Sequence, residues 1–416
     1  MVSLVGTKGG GMTELPSLAG EAWLAEPALR KVFAALTAAG GMARVAGGAV
    51  RNALLHVPVH EIDIATDLTP AQVMAAGEAA GLGVYPTGVD HGTVTLTAGR
   101  RSFEVTTLRV DAETFGRKAR VAFTSDWEAD ARRRDFTTNA LYCDAEGNIL
   151  DPVGGYADIL RKRVRFVGDA LTRIAEDHLR ILRFFRFHAH YGAGAPDRKG
   201  LAACIARKDD LRDLSPERIR QELLKLLTGK RAVETLRLMA KHGVLAVILP
   251  HRDGLRLLAR MARIDAAQDL APDALLRLFL IAAEPEKLRD LLRLANHESE
   301  RLEAMARAVP ISPRLHDEEC AIMLYQLGAE AWRDQVRLAW VDSTAPPASA
   351  GWGALLDLAD GWERPRLPVT GDDLIAYGFV PGPALGAALT FLEDWWVASG
   401  FKPSREELLR HLSISG

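Results

Sequence analysis

The chain has 416 residues, too many for one ordinary core and enough for two to four domains. With 48% hydrophobic and 25% charged residues it has the composition of a soluble globular protein, and no run of eighteen apolar residues is present to span a bilayer. A formal net charge of −2 gives no sign of a globally basic nucleic-acid binder, and Cys143, Cys204 and Cys320 form no C-x-x-C pair that would argue a disulfide framework or zinc site.

Residues 1–25 carry TKGGGM and few periodic apolar positions, so a mobile lead-in is expected there, with no basic-then-apolar leader and hence a cytoplasmic location and no membrane partner. No P-loop Lys-Ser/Thr follows Gly9–Gly11, which reads as linker. Glu26 to Ala39 is predicted helical, with Leu29, Val32, Phe33 and Leu36 on one face and Gly40–Gly41 ending it. Val45 to Thr66 then reads as a strand, a turn at Gly47–Gly48, a short helix with Arg51, and a second strand carrying Glu61 and Asp63. Alternation puts those two acids on one strand face, and bare glycines permit close backbone approach to a ligand. A phosphate cradle one short helix from two carboxylates is the equipment of metal-assisted phosphoryl transfer.

Thr69–Pro70 opens a further helix running to about Ala80. Residues 84–87, 92–97 and 103–108 alternate as strands, the last two joined at Gly99–Arg100. The mixture of helices with an antiparallel hairpin predicts an α+β head with a mixed sheet, not a doubly wound parallel one. Glu104 reads equally as a third acid near the metals or a solvated strand carboxylate, and Arg109 as a triphosphate contact or a sheet cap. Residues 111–124 are polar, basic and poorly periodic, so a loop is expected.

Three stretches carry a resemblance. GGAVRN with EIDIAT, then RRDFTTNA from Arg133, then Glu176 to Arg186 as ED-x-x-R-x-x-R-x-x-RF, together resemble the class II nucleotidyltransferases: the bacterial tRNA CCA-adding enzyme and poly(A) polymerase family. Asn52 stands where that family prefers Asp, and Glu61 where it prefers the first Asp of D-x-D. The resemblance implies a polymerase-beta-like nucleotidyltransferase head over 26–155, a helical neck with a nucleobase-reading helix over 156–230, and a helical, tRNA-binding body and tail over 231–416. It implies Glu61 and Asp63 as catalytic ligands of Mg²⁺, and a grip on the nucleotide through Gly47, Gly48, Arg51, Arg134, Asp135, Asn139, Arg183 and Arg186. Arg132 and Arg133 read alternatively as a solvated helix face. Residues 111–124 match a flexible loop of the family by position, with Phe115-Gly116-Arg117 in place of its Asp-Gly-Arg core.

The third stretch speaks to substrate choice. Helical i, i+3 spacing is expected to put Asp177 beside Arg180 on one face, with Arg183 and Arg186 continuing it. A carboxylate accepts from an exocyclic amino group, and a guanidinium donates to a ring nitrogen. Cytosine and adenine offer that pair of functions; uracil and guanine do not. The resemblance gives Asp177 and Arg180 this role, so CTP and ATP are the expected substrates, chosen without a nucleic-acid template. From Arg161 to Arg186 eight Lys/Arg stand against three Asp/Glu, a local basic excess suited to RNA.

Leu211 to Leu227 is predicted helical, with Ser215 as N-cap and Pro216 in the first turn, and from Ala232 the chain reads as almost wholly helical. His316–Asp317 reads as a helix-entry pair, and Thr370 or Asp372 as a cap. Trp395 and Trp396 suit either core packing or stacking on RNA. The expected activity is template-independent addition of C, C and A to the tRNA 3′ end. The rivals are a poly(A) polymerase, a CC-only or A-only enzyme, and an RNA-binding protein that has lost catalysis. No stable protein partner is evident.

Overall fold

The computed structural model describes residues 14–115, 118–252 and 255–415; the TKGGGM stretch and Gly116–Arg117 lie outside them. Backbone contacts divide the chain into two units, Met1–Ile248 and Leu249–Gly416.

The first unit is built on a mixed sheet with strand order β3-β4-β5-β2-β1-β8-β9 among the described residues. The strands are β1 (Ala43–Ala46), β2 (Asp63–Thr66), β3 (Gly83–Gly88), β4 (Thr93–Ala98), β5 (Arg101–Thr107), β8 (Tyr142–Cys143) and β9 (Ile149–Leu150). Every neighbouring pair is antiparallel except β2 with β5, whose parallel register sets Asp63 against Glu104. A parallel pair needs a crossover, and helix α3 (Pro70–Ala79) begins it, capped by Thr69, whose hydroxyl accepts from the Gln72 N–H.

Period-2 alternation decides which face is which. Ile62, Ile64, Val94, Leu96, Phe103 and Val105 point into a core shared with Leu29, Val32, Phe33 and Leu36 of α1 (Pro27–Ala38) and Val73 of α3. Each such fully buried side chain contributes about 1.5–3 kcal/mol. The opposite face presents Asp63, Glu104 and Thr106. Glu61 precedes β2 instead of lying within it, yet Ile62 between the two acids is buried, so the alternation extends one step beyond the ladder.

The segment before α1 is not a loose lead-in where it is described. Leu18 and Leu24 are buried in the same core, and Leu18 N–H donates to Gly147 O at 2.9 Å. Two apolar anchors six residues apart show no periodicity, which is why the sequence hides them. The stretch expected as a loop over 111–124 is likewise ordered in part: β6 (Arg109–Phe115) and β7 (Lys118–Phe123) pair as a separate hairpin.

A run of helices follows: α4 (Trp127–Arg132), α5 (Gly155–Leu160), α6 (Ala170–Glu176), α7 (Arg180–Tyr191), α8 (Arg198–Ala206) and α9 (Pro216–Leu227). Phe136, Phe166 and Phe184 form a buried aromatic stack, Phe166 lying parallel to Phe184 at 5.5 Å and 4.9 Å from Phe136. It seats α7 against the segment that follows α4. Ser215 occupies the N-cap position of α9 without a side-chain cap bond.

Apart from an isolated bridge between His251 and Ala282, the regular elements of the second unit are all helices among its described residues. Asp265 is buried between Arg277, at 2.9 Å, and Arg337. Trp332 and Trp340 are fully buried, Trp340 stacking on Trp352 at 6.0 Å. His316 N–H donates to Glu319 at the start of the helix Asp317–Leu327, so this histidine sits at a helix entry. Thr370 caps Gly371–Ala376. Of the two adjacent tryptophans, Trp396 is core, packed on Tyr325 and Phe401, while Trp395 is half-buried and stacks on His411 at 4.0 Å. No helix among the described residues is long and apolar enough to cross a membrane.

Candidate active site

One cavity of about 700 Å³ in the first unit gathers all twelve residues expected from the sequence: Gly47, Gly48, Arg51, Glu61, Asp63, Arg134, Asp135, Asn139, Asp177, Arg180, Arg183 and Arg186. Its walls carry nine Lys/Arg side chains against six carboxylates, a positive balance that suits a polyanionic ligand.

Gly47 makes the turn between β1 and α2 (Gly48–Leu54) with φ of +65°, a conformation that L side chains rarely adopt. A Cβ there would lie 3.2 Å from both Arg134 Nη1 and Asn139 O. Glycine is thus required by conformation and by space, and its bare backbone lets the Arg134 guanidinium lie close against the turn.

Arg134 is held by a buried carboxylate. Asp130 accepts from Arg134 Nε at 3.2 Å and Nη2 at 3.1 Å, from Arg133 Nε at 2.8 Å and from the Tyr142 hydroxyl at 2.6 Å. Burial alone would raise the Asp130 pKa, but Arg134, Arg133 and Tyr142 together hold it below its ordinary value. Arg134 Nη1 donates to Asn139 O at 3.3 Å, which places the guanidinium edge beside the glycine turn. The sequence offered no mark for Asp130 beyond its i, i+4 spacing to Arg134.

Asp63 faces the cavity. Burial, then Glu104, then Glu61 raise its pKa, and Arg134 opposes them. Three carboxylates thus crowd one wall with a single nearby arginine in opposition, the charge pattern that a divalent cation would relieve. No group of three or more ligating side chains with metal-holding geometry is found among the described residues, so an ion here would take part of its coordination from substrate oxygens and water.

Arg51 differs from expectation. Its guanidinium is buried, donating to Asn139 Oδ1, to Asn52 Oδ1 at 2.9 Å and to the Tyr191 hydroxyl at 3.0 Å, and it lies 4.2 Å over the Tyr191 ring. It is a brace between α2 and α7 whose donors are largely engaged. Asn52, in the position where Asp was expected, accepts from Arg51 and donates to Pro58 O, a satisfied pair without added charge. Arg183 is bound to Asp135 at 2.7 Å and Arg186 to Glu222 at 2.5 Å, so these two also reach the cavity as partnered cations. Asn139 Nδ2 donates to Asp135, closing the chain Arg51–Asn139–Asp135–Arg183.

The helical geometry expected for Asp177 and Arg180 is corrected. Helix α6 ends at Glu176 and α7 begins at Arg180, with Asp177 extended between them (φ −154°, ψ 107°). The Asp177 carboxylate accepts from the Leu179 N–H at 3.1 Å, an Asx-type local bond that competes with helix. Asp177 and Arg180 still line the same cavity, across a helix junction instead of along one face. Arg180 is fixed by Glu176, by Arg173 O at 2.8 Å and by Arg133 O at 3.3 Å. Sequence reading also missed Arg218 and Lys225, seven residues apart on α9 and both at the cavity. Their spacing marked a polar helix face, but nothing local said what that face meets.

The head segment, residues 43–165, matches the model of the poly A polymerase head domain, and residues 196–255 match that of the probable RNA- and SrmB-binding site of polymerase A. The mitochondrial CCA tRNA nucleotidyltransferase 1 of Danio rerio is 34% identical over 388 residues, covering 89% of this chain and 87% of its own. The CCA-adding enzyme of Latilactobacillus sakei is 31% identical over 380 residues, covering 90% and 94%. Among solved structures, the Bacillus stearothermophilus CCA-adding enzyme in complex with CTP superposes with a TM-score of 0.71 at 27% identity, over 96% of this chain and 98% of that one. With its mixed-sheet head, a cavity that sets an acidic wall among arginines, and this extent of similarity, the chain belongs to the CCA tRNA nucleotidyltransferase family.

Proposed function

We propose that the chain adds C, C and A in turn to the 3′ end of tRNA, from CTP and ATP and without a template, releasing pyrophosphate at each step. The observation that carries the reading is the meeting, in one cavity, of the acid pair, the glycine turn and the Asp177/Arg180 pair, from segments more than a hundred residues apart.

The family generally uses divalent metals, and the carboxylates of Glu61 and Asp63 suit Mg²⁺, with the remaining coordination left to substrate oxygens and water. Bound there, Mg²⁺ would activate the primer 3′-hydroxyl and neutralise charge on the triphosphate. The remaining work falls to the chain's own groups. The bare Gly47 turn lets a phosphate approach the backbone, and Arg134, aimed by Asp130, donates to it. Asp177 accepts from the amino group of cytosine or adenine, and Arg180 donates to the ring nitrogen. Arg51, Arg183 and Arg186 brace the walls through their partners and leave a positive field behind the triphosphate. Asp135 and Asn139 tie the two sides of the cavity together.

The relatives are CCA-adding enzymes, which does not favour poly(A) synthesis. Incubation with tRNA lacking its last three nucleotides, CTP, ATP and Mg²⁺, followed by sequencing of the products, tests the reading. The expected product ends in CCA and stops. A long A tail, or arrest after CC, would replace it with one of the narrower or rival activities, and no pyrophosphate at all would leave only RNA binding.

A further inference from the structure

Arg218 lies on the first turn of α9, forty-one residues from Asp177, and its Nη2 donates to both oxygens of that carboxylate, at 3.0 and 2.9 Å. Its side chain is 46% exposed and that of Asp177 34%. An ion pair this open contributes little to stability, between zero and about 1 kcal/mol, so its consequence is to be sought in the cavity that both residues line.

A carboxylate offers about four lone-pair positions. Arg218 takes two and the Leu179 N–H a third. What remains is one acceptor position of fixed direction. In the same cavity, Arg180 is held by Glu176, Arg173 O and Arg133 O. Acceptor and donor are thus already oriented in the chain alone.

We infer that Arg218 is a positioning residue for nucleobase selection: it holds the Asp177 carboxylate as a directed acceptor that takes an exocyclic amino group and has no proton to offer a carbonyl. The inference rests on Asp177 and Arg180 being the base readers. Uracil and guanine, which place a carbonyl where cytosine and adenine place the amino group, then meet acceptor against acceptor, a mismatch that costs affinity. Without Arg218 the Asp177 side chain gains rotational freedom, and the penalty against a carbonyl falls.

The experiment compares the wild type with Arg218→Gln, Arg218→Lys and Asp177→Ala, each as the full chain with Mg²⁺ and tRNA lacking CCA. Single-turnover kcat/KM is measured for CTP, ATP, UTP and GTP, and thermal midpoints are recorded in parallel. Arg218→Gln is expected to lower the preference for CTP and ATP over UTP and GTP by about tenfold, a change of roughly 1.4 kcal/mol in discrimination. The effect should fall chiefly on KM, with an unchanged thermal midpoint and partial restoration in Arg218→Lys. Asp177→Ala is expected to relax the same preference at least as far. If Asp177→Ala relaxes it and Arg218→Gln does not, the role given to Arg218 is wrong while the base-reading assignment stands. If Asp177→Ala leaves the preference intact, the base-reading assignment fails and this inference fails with it.

Discussion

At Asp63 the proposed role and the stability of the folded chain pull in opposite directions. Burial, Glu104 and Glu61 raise its pKa, so the folded state binds its proton more tightly than the unfolded chain does. The linkage sign follows: as pH climbs from the ordinary carboxylate value through the raised one, the folded state loses stability. A divalent cation held there, as proposed, would reverse this by binding the folded state. Asp63→Asn should therefore raise the thermal midpoint of the metal-free protein at neutral pH and abolish the rise that Mg²⁺ gives the wild type. It should also cost roughly a thousandfold or more in kcat, since metal assistance supplies several kcal/mol. Calorimetry with and without Mg²⁺ checks the first claim and nucleotide incorporation the second. Gly47→Ala makes a separate residue-scale case. With φ of +65° and a new Cβ 3.2 Å from Arg134, it should cost about 1–2 kcal/mol of stability and raise the KM for both nucleotides by displacing that guanidinium. A chemical denaturation midpoint equal to wild type would contradict it. Glu61, Asp63 and Gly47 were legible because their meaning is local: alternation and a turn. Arg218 and Asp130 were not, because their partners are set by packing.

At the level of elements, α7 shows how a correct motif can carry an incorrect geometry. The spacing from Asp177 to Arg186 is helical, and from Arg180 onward the structure is too. An aspartate whose oxygen can take the N–H two residues on offers the backbone another conformation, and here it breaks the helix at the one residue the base-reading argument most needs. The parallel pairing of β2 with β5 was hidden for a different reason. Both strands were readable by alternation, but which strands become neighbours is decided by a crossover through α3, β3 and β4, and no window of sequence holds that information. Helix α7 also carries a pH prediction. His188 is buried on it, facing Arg231 and Glu234 of the α10 segment (helix Ala232–Lys241 and its N-cap), and burial and Arg231 push its pKa down to about 4. A depressed histidine contributes stability in full above its ordinary pKa and loses it as pH falls toward the folded value. Between about pH 6.5 and 4 the first unit should lose roughly 2–4 kcal/mol on this account. His188→Gln should flatten that part of the pH–stability curve, measured by denaturant unfolding at a series of pH values; an unchanged slope would assign the acid sensitivity elsewhere.

Across the whole molecule the charge is nearly balanced, at −2, so tRNA is not drawn in by a global field. The cationic excess is regional. Residues 161–186 hold eight Lys/Arg against three Asp/Glu, and residues 196–255, the segment matching the RNA-binding model, hold thirteen against eight. Both regions fall almost entirely within the first unit. Many of these cations are committed: Arg183 to Asp135, Arg186 to Glu222, Arg163 and Arg165 to Asp158. Only the remainder can exchange counterions for RNA phosphates. If about four phosphates are neutralised, counterion release predicts that tRNA affinity falls roughly a hundredfold between 50 and 200 mM monovalent salt. CTP is a different case: on the proposed reading its charge would be met by Mg²⁺ and by Arg134, an arginine already ordered against Asp130, and its KM should then rise far less over the same range. Measuring both constants across that salt series separates the two. Parallel slopes would mean that one shared field holds both ligands, and a flat tRNA slope would mean that shape, not charge, does the holding.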